Sequence, residues 1–239
     1  MICEKDKEEA VFLQEKFPEA KFHDDLFTAN PDKIPDHDLF CAGFPCQSFS
    51  MAGKRTGFKD TRGTVFFEIL RILKRKRPKI ILLENVKGLL SAQDGYCFFR
   101  ILECLGELGY FIQWQVLNSF WWLPQSRERV FIIGINRKEC FKKILPIRES
   151  INWDYSKEEG RFIAASYIPT LTKAYQGLGF AQPLIKDSFG IRRLTERECE
   201  RFQGFPDDWT ISLKKRYSAL GNAVSVPVIS AVIRAIFNA

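Results

Sequence analysis

The sequence predicts an α/β protein built on a doubly wound sheet, and three observations predict it. Short apolar runs alternate with amphipathic stretches as far as residue 135. The run Leu39 to Ala42 is apolar without alternation, as a strand buried on both faces of a parallel sheet requires. It leads into Gly43-Phe44-Pro45-Cys46-Gln47, a turn that puts a cysteine at the carboxyl end of a strand, where open α/β sheets place their ligands.

Taken in order, the pattern gives a helix from Glu8 to Lys16, a strand from Leu39 to Ala42 and a helix from Thr64 to Lys76. In that helix Phe66, Ile69, Leu70 and Leu73 recur at helical spacing, and Pro78 closes it. A strand from Ile80 to Glu84 and a helix from Tyr96 to Leu108 follow, then strands from Ile112 to Leu117 and Arg129 to Ile135, read as an antiparallel pair. Between Arg137 and Gly190 periodicity fades into polar sequence carrying Trp153, Tyr155, Tyr167 and Tyr175, which reads as a small variable lobe. Helices from Thr195 to Phe202 and from Val226 to Phe237 close the chain. The expected organisation is a catalytic domain over 1–136, an irregular lobe over 137–190, and a segment 191–239 that packs back on the first domain.

With 239 residues and 46% hydrophobic composition, the chain can bury a sizeable core, and its 22 Phe are mostly expected inside. A net charge of +7 favours a polyanionic partner without identifying it. Seven cysteines at irregular spacing, with no CxxC pair, speak against a disulfide framework and a zinc cluster. The start Met1-Ile2-Cys3-Glu4-Lys5-Asp6 turns charged at once, and no apolar run reads as long enough to span a bilayer, so a cytoplasmic protein without a membrane partner is expected.

Several residues carry chemistry on their own account. Cys46 is placed as a nucleophile. Glu84 ends its strand at the same sheet edge, where it can bond a heterocycle's ring nitrogen and amino group, form a buried salt bridge, or sit as a helix N-terminal acid. In Pro124-Gln125-Ser126-Arg127-Glu128-Arg129 the alternating arginines are expected on one face, suited to phosphate or carbonyl oxygens, unless they are ordinary solvated surface. The stretch from Phe49 to Gly63, hinged at Gly53, Gly57 and Gly63 and carrying Lys54, Arg55, Lys59 and Arg62, reads as a basic lid or as a plain surface loop.

In order, Gly43-Phe44-Pro45-Cys46-Gln47, Glu84-Asn85-Val86, Gln125-Ser126-Arg127-Glu128-Arg129, Arg193-Leu194-Thr195 through Gln203-Gly204-Phe205-Pro206, and Gly221-Asn222-Ala223-Val224 resemble the cytosine-C5 DNA methyltransferases of bacterial restriction-modification systems. The resemblance covers nearly the whole chain. It implies a Rossmann-like, S-adenosylmethionine-dependent methyltransferase sheet with a small target-recognition lobe and no metal. It implies that the Cys46 thiolate adds to C6 of a cytosine flipped out of duplex DNA, with Glu84 on N3 and the exocyclic amine. Arg129 would meet the carbonyl oxygen, and Arg127 would support the site. For the cofactor it points to Glu4, Asp25, Phe44, Pro45, Val65, Asn222 and Val224. For DNA it points to Gln47, Ser48, Ser50, Lys54, Arg55 and Arg62 in the lid and to Thr170 and Leu171 in the recognition lobe.

Complete members of that family begin with a strand and a Phe-x-Gly-x-Gly turn. Here Ile2-Cys3-Glu4-Lys5-Asp6 resembles the end of their second strand, with Lys5 where an aromatic would stack on adenine. Two alternatives follow: a non-catalytic DNA-binding polypeptide that needs a complementing N-terminal chain, and a tRNA cytosine methyltransferase. The latter's Cys-Phe-Thr is replaced here by Thr170-Leu171-Thr172. Lack of a central strand costs several kcal/mol, comparable to the stability of a domain. The isolated chain is therefore expected to bind S-adenosylmethionine weakly or not at all; tight stoichiometric binding in a calorimetric titration would contradict this.

Overall fold

In the computed structural model, which describes residues 1–45, 65–147, 168–171, 184–187 and 190–238, the most apolar runs become the middle of a four-stranded sheet. The chain forms two compact units, Met1–Leu117 with Arg129–Leu145, and Asn118–Glu128 with Pro146–Ala239.

The first unit holds β1 (Ile2–Cys3), α1 (Lys7–Lys16), β2 (Phe22–His23), β3 (Leu39–Gly43), α2 (Val65–Lys76), β4 (Ile80–Val86), α3 (Tyr96–Glu107) and most of β5 (Tyr110–Asn118). After β6 (Gln125–Ser126), which belongs to the second unit, the chain returns through β7 (Glu128–Asn136). The sheet runs β3-β4-β7-β5, with β3 parallel and β7 antiparallel to β4, while β1 and β2 form a separate parallel pair. Local chemistry agrees with these elements. Asp6 caps α1 by accepting the Glu8 and Glu9 amides, and Lys16 sits in its last turn.

The sheet's centre is where sequence and burial coincide. Ile81, Leu82 and Leu83 of β4 and Val130 through Ile133 of β7 are buried, so both faces are apolar there. Register puts Ile81 opposite Gly134 and Leu83 opposite Ile132. This face joins Phe66, Ile69 and Leu73 of α2 and Cys97, Phe98, Ile101 and Leu105 of α3 in one core. Gly134 makes the packing possible, since a Cβ there would stand 2.5 Å from Ile81 Cγ1. Burial pushes the Tyr110 phenol up to about 12, and its hydroxyl donates to the Pro78 carbonyl at 2.9 Å.

The second unit adds β8 (Ile168–Pro169), β9 (Leu184–Asp187), β10 (Gly190–Arg193), α4 (Glu196–Gln203), α5 (Arg216–Asn222) and α6 (Val226–Asn238). β6 pairs with β8 in parallel and β9 with β10 antiparallel. The sequence reading of 137–190 as lacking periodicity did not find β8 or β9, and α5 was also unexpected. Segment 191–239 clusters with 118–128 and 146–190. α4 starts where expected because Thr195 and Glu198 form a capping box. It ends at Gly204 in the left-handed region, φ +80°, where a Cβ would also meet Pro227 Cδ at 2.5 Å.

Residues 216–238 are apolar enough, by length and composition, to cross a membrane, which the sequence reading did not anticipate. The stretch is nevertheless two helices. Ala223 leaves α5 in an extended conformation with ψ 151°, and neither α5 nor α6 reaches the roughly 20 residues a span needs.

Glu200 is fully buried and anchors this unit. Its carboxylate accepts the Asp208 amide at 2.7 Å, the Thr210 amide at 2.8 Å, the Thr210 hydroxyl at 2.5 Å, and Arg216 Nη2 at 2.9 Å. Replacing it orphans two amides and takes the nearest carboxylate from the largely buried Arg216 guanidinium, which keeps only the Thr210 hydroxyl at 3.0 Å and Asp208 at 3.9 Å. Glu200→Ala is expected to cost about 3–5 kcal/mol, read as a lower urea midpoint for loss of helical signal.

Candidate active site

Register is what builds the site. Gly43, the last residue of β3, pairs with Glu84 of β4, so Glu84 stands beside the backbone that enters Phe44-Pro45-Cys46. A Cβ on Gly43 would lie 3.5 Å from Glu84 Oε2, so at this position the strand brings only backbone against the carboxylate. Across the other side of β4, Arg129 of β7 is opposite Val86. Its side chain reaches the diagonal neighbour, and Arg129 Nε stands 3.1 Å from Glu84 Oε1. With side-chain exposures of 15% and 19%, this pair is only partly hydrated and its Coulomb attraction is weakly screened. Burial pushes the Arg129 guanidinium below its ordinary value, and the neighbouring Glu84 charge opposes that shift. The salt bridge left open as one reading of Glu84 is thus present, and its partner is the other expected site residue.

Alternation along β4 sends Asn85 to the opposite face from Glu84. There its buried side chain donates from Nδ2 to the Phe44 carbonyl at 2.7 Å, while its Oδ1 accepts the Val86 amide at 2.8 Å. Phe44 is itself buried, with its ring against Phe66 at 5.3 Å between centroids. The backbone two residues before Cys46 is therefore clamped from side chain and main chain alike. Asn85 stands within the Glu84-Asn85-Val86 motif with no expected role of its own. The available signal was an amide inside an apolar strand, which must find a partner if buried.

The other expected residues are placed as follows. Cys46, Gln47, Ser48, Ser50, Lys54, Arg55 and Arg62 lie outside the described residues. Pro45 is exposed, and Val65 opens α2. Glu4 follows β1 and Asp25 lies just beyond β2, so both acids sit at the carboxyl ends of a parallel pair. Glu4 Oε1 accepts the Asp6 amide at 2.8 Å. Asp25 accepts the Phe27 amide at 3.0 Å and stands 3.1 Å from Lys5 Nζ, and these two interactions, the amide first, hold its carboxyl below the usual range. Lys5 thus supports Asp25. Asn222 and Val224 belong to the second unit, at the end of α5 and between α5 and α6.

Two expectations need correction. Arg127 and Arg129 do not act as a pair on one strand face, because Arg127 falls in the break between β6 and β7. It is buried and donates to the Leu171 carbonyl at 2.8 Å, the Gly221 carbonyl at 3.1 Å and the Ala223 carbonyl at 2.9 Å, all within the second unit. Carbonyl oxygens are its partners, but they are the protein's own. Leu171, expected at DNA, is 2% exposed and packs with Ile168, Leu194, Cys199, Phe202 and Leu220, so its side chain is core. The Thr170 hydroxyl donates to the Ser126 carbonyl at 2.8 Å. Gln125 and Gln203, also buried, were missed as structural residues: Gln125 bonds the Leu171 amide and the Phe202 carbonyl, and Gln203 the Leu220 carbonyl and the Ser225 hydroxyl.

A carboxylate paired with arginine at the end of a strand of the four-stranded sheet, with acids after the separate parallel pair β1 and β2, belongs to an α/β fold of the doubly wound methyltransferase class, as the comparisons with known proteins bear out. The fold agrees with that of the solved structure of S. pombe Dnmt2 methyltransferase, with a TM-score of 0.75 over 99% of this chain and 90% of that one at 21% identity. The sequence profile described as C-5 cytosine-specific DNA methylase matches residues 1–171 and 142–238, and the chain belongs to that family. Its relatives include the type II methyltransferase M.Bsp6I of Bacillus sp. (strain RFL6), 34% identical over 98% of this chain and 90% of the relative. M.NgoBI of Neisseria gonorrhoeae is 39% identical over 95% of this chain and 82% of its own length.

The clamp yields a direct test. Asn85→Ala leaves the buried Phe44 carbonyl without its donor and is expected to cost about 1–3 kcal/mol in chemical denaturation.

Proposed function

We propose that the chain moves a methyl group from S-adenosylmethionine to C5 of a flipped-out cytosine in duplex DNA, through a covalent bond between Cys46 and C6. The observation that carries this reading is the Glu84–Arg129 pair, 3.1 Å apart beside Gly43, three positions before Cys46. A carboxylate and a guanidinium held side by side match adjacent atoms on one edge of cytosine, N3 with the amine and O2 respectively. Arg129 fixes the direction of the carboxylate before any base arrives, so little reorganisation is needed when charge develops on the ring.

The chemistry follows from these groups. Cytosine C5 is too poor a nucleophile to take a methyl group directly. Addition of the Cys46 thiolate to C6 pushes electrons through the ring to C5 and N3, and the Glu84 carboxyl, protonated for this step, donates its proton to N3 where negative charge accumulates and accepts from the exocyclic amine. The bound cofactor supplies an electrophilic methyl on sulfonium. Loss of the C5 proton and expulsion of Cys46 then restore the aromatic ring. Glu4 and Asp25 fit the adenosine part, since carboxylates after parallel strands suit ribose hydroxyls and an adenine amine. Pro45, Phe44 and Val65 would line the sulfonium side, with Asn222 and Val224 toward the methionine part. The lid carrying Gln47, Ser48, Ser50, Lys54, Arg55 and Arg62 would close against the DNA, and Thr170 would take part in sequence readout.

In this reading the enzyme acts in the bacterial cytoplasm and protects host DNA within a restriction-modification system. Membership of the family described as C-5 cytosine-specific DNA methylase favours DNA over tRNA. The test uses duplexes containing 5-fluorocytosine with S-adenosylmethionine. Fluorine cannot leave as the C5 proton does, so at S-adenosylmethionine concentrations high enough to offset weak cofactor binding wild type should be trapped as a covalent adduct and Cys46→Ala should not. Failure to trap on any of a broad set of sequences would favour the non-catalytic alternative. Arg129→Ala is expected to lower the trapping rate by about 100-fold, in the range of losing one preorganised charge-stabilising donor, and a rate equal to wild type would remove Arg129 from the site.

A further inference from the structure

Two phenylalanines break the rule that places this chain's aromatics inside. Alternation along β5 sends Tyr110, Ile112 and Val116 into the core shared with α2 and α3, so Phe111 and Gln113 lie on the opposite face. Phe111 is 37% and Phe141 59% exposed, and their rings meet edge to face with 5.5 Å between centroids. The Arg137 guanidinium stands over the Phe111 ring, 5.4 Å from its centroid. Single exposed aromatics are ordinary, whereas a ring pair with a cation stacked on it is a built surface.

The cluster is fastened to the sheet. Gln113 Nε2 donates to the Lys142 carbonyl at 2.7 Å, and its Oε1 accepts the Ile144 and Leu145 amides at 2.9 and 3.1 Å. Ile144 and Leu145 are buried, so the segment that carries Phe141 is held by backbone and side chain alike. The Arg137 amide donates to the Gly109 carbonyl at 2.9 Å, which fixes the other flank. All of these residues belong to the first unit. Asn136 ends β7 seven positions after Arg129, about 23 Å away at the ordinary strand rise. The surface therefore lies at the far end of the sheet from the Glu84–Arg129 pair and is separate from it.

Charge and shape together select the occupant. Every residue from Arg137 to Lys143 is exposed, and the stretch carries Arg137, Lys138, Lys142 and Lys143 against Glu139 alone. Cations spaced about a ring pair suit a strand of nucleotides, whose phosphates meet the charges while a base stacks on a ring. A duplex hides its base faces, so the aromatic part of this surface serves only unpaired nucleotides. An acidic peptide would match the charges and leave the open face of Phe141 without a planar partner.

We infer that Phe111, Phe141, Arg137, Lys138 and Lys143 form a second nucleic-acid surface, which binds unpaired nucleotides of single-stranded DNA or RNA by stacking and phosphate contact. It goes beyond the proposed methyl transfer and does not depend on it.

Fluorescence anisotropy of the full chain tests this with labelled oligothymidylate and oligouridylate of about ten nucleotides, inside the span of one stacking groove. Phe141→Ala is expected to weaken the tighter-binding oligomer about tenfold and Phe141→Trp to restore it, with affinity for blunt duplex DNA unchanged in both. Replacing Lys138 and Lys143 together by Gln should flatten the dependence of log affinity on log salt by about 1.4, two phosphates at ~0.7 each. Whichever oligomer binds more tightly names the strand, and either supports the inference. Position is read by photocross-linking an oligomer that carries 5-iodouracil, which should join to Phe111 or Phe141. The inference is overturned if neither oligomer binds, if Phe141→Ala binds both as wild type does, or if that variant loses duplex affinity equally. It is also overturned if cross-links fall only elsewhere in the chain, or if a peptide of Glu and Phe binds the surface more tightly than either oligomer.

Discussion

The hydrogen-bond register of β4 is the constraint on which the site depends. Pairing Gly43 with Glu84 on one side and Val86 with Arg129 on the other puts a carboxylate, a guanidinium and the Gly43 backbone within a few ångströms. A slip of one residue would exchange the faces of Glu84 and Asn85 and separate every partner at once. That slip is resisted by the apolar residues preceding Glu84, because Ile81, Leu82 and Leu83 are buried on alternating faces and Gly134 admits Ile81 at only one position. Hydrophobic packing thereby fixes polar geometry.

The second unit depends on buried polar groups instead. Arg127, Gln125, Gln203 and Glu200 are nearly or wholly out of water, and each bonds backbone groups of distant segments. Such groups add little net stability while satisfied, but each is costly to orphan, so they select one arrangement of short, irregular segments. Segments too short to specify their own pairing gain it from these side chains.

Much of the fold was legible because its signals are local. The helix from Val65 follows from Phe66, Ile69 and Leu73, and α4 from the spacing of Thr195 and Glu198. β1 was legible only through the family resemblance of Ile2-Cys3-Glu4, and β2, β8 and α5 were not, since elements of two to seven residues carry no period and exist only through their partners. In the site, Glu84 and Arg129 were identified by chemistry and by family resemblance. Arg127 was misread because alternation with Arg129 assumes one continuous strand, and the chain breaks between them.

Sequence alone determined the element types of the longer segments, the order of the motifs and the kinds of side chain available for chemistry, because periodicity and residue type act within a few positions. Tertiary structure decided the pairings. Asn85 meets the Phe44 carbonyl 41 positions away, and Arg127 meets the Gly221 carbonyl 94 positions away. Contacts over such separations depend on strand register and on how segments pack. The same physics left β3 apolar in sequence yet, among the described residues, at the edge of its sheet, since whether a strand lies at the centre or the edge is decided by its neighbours.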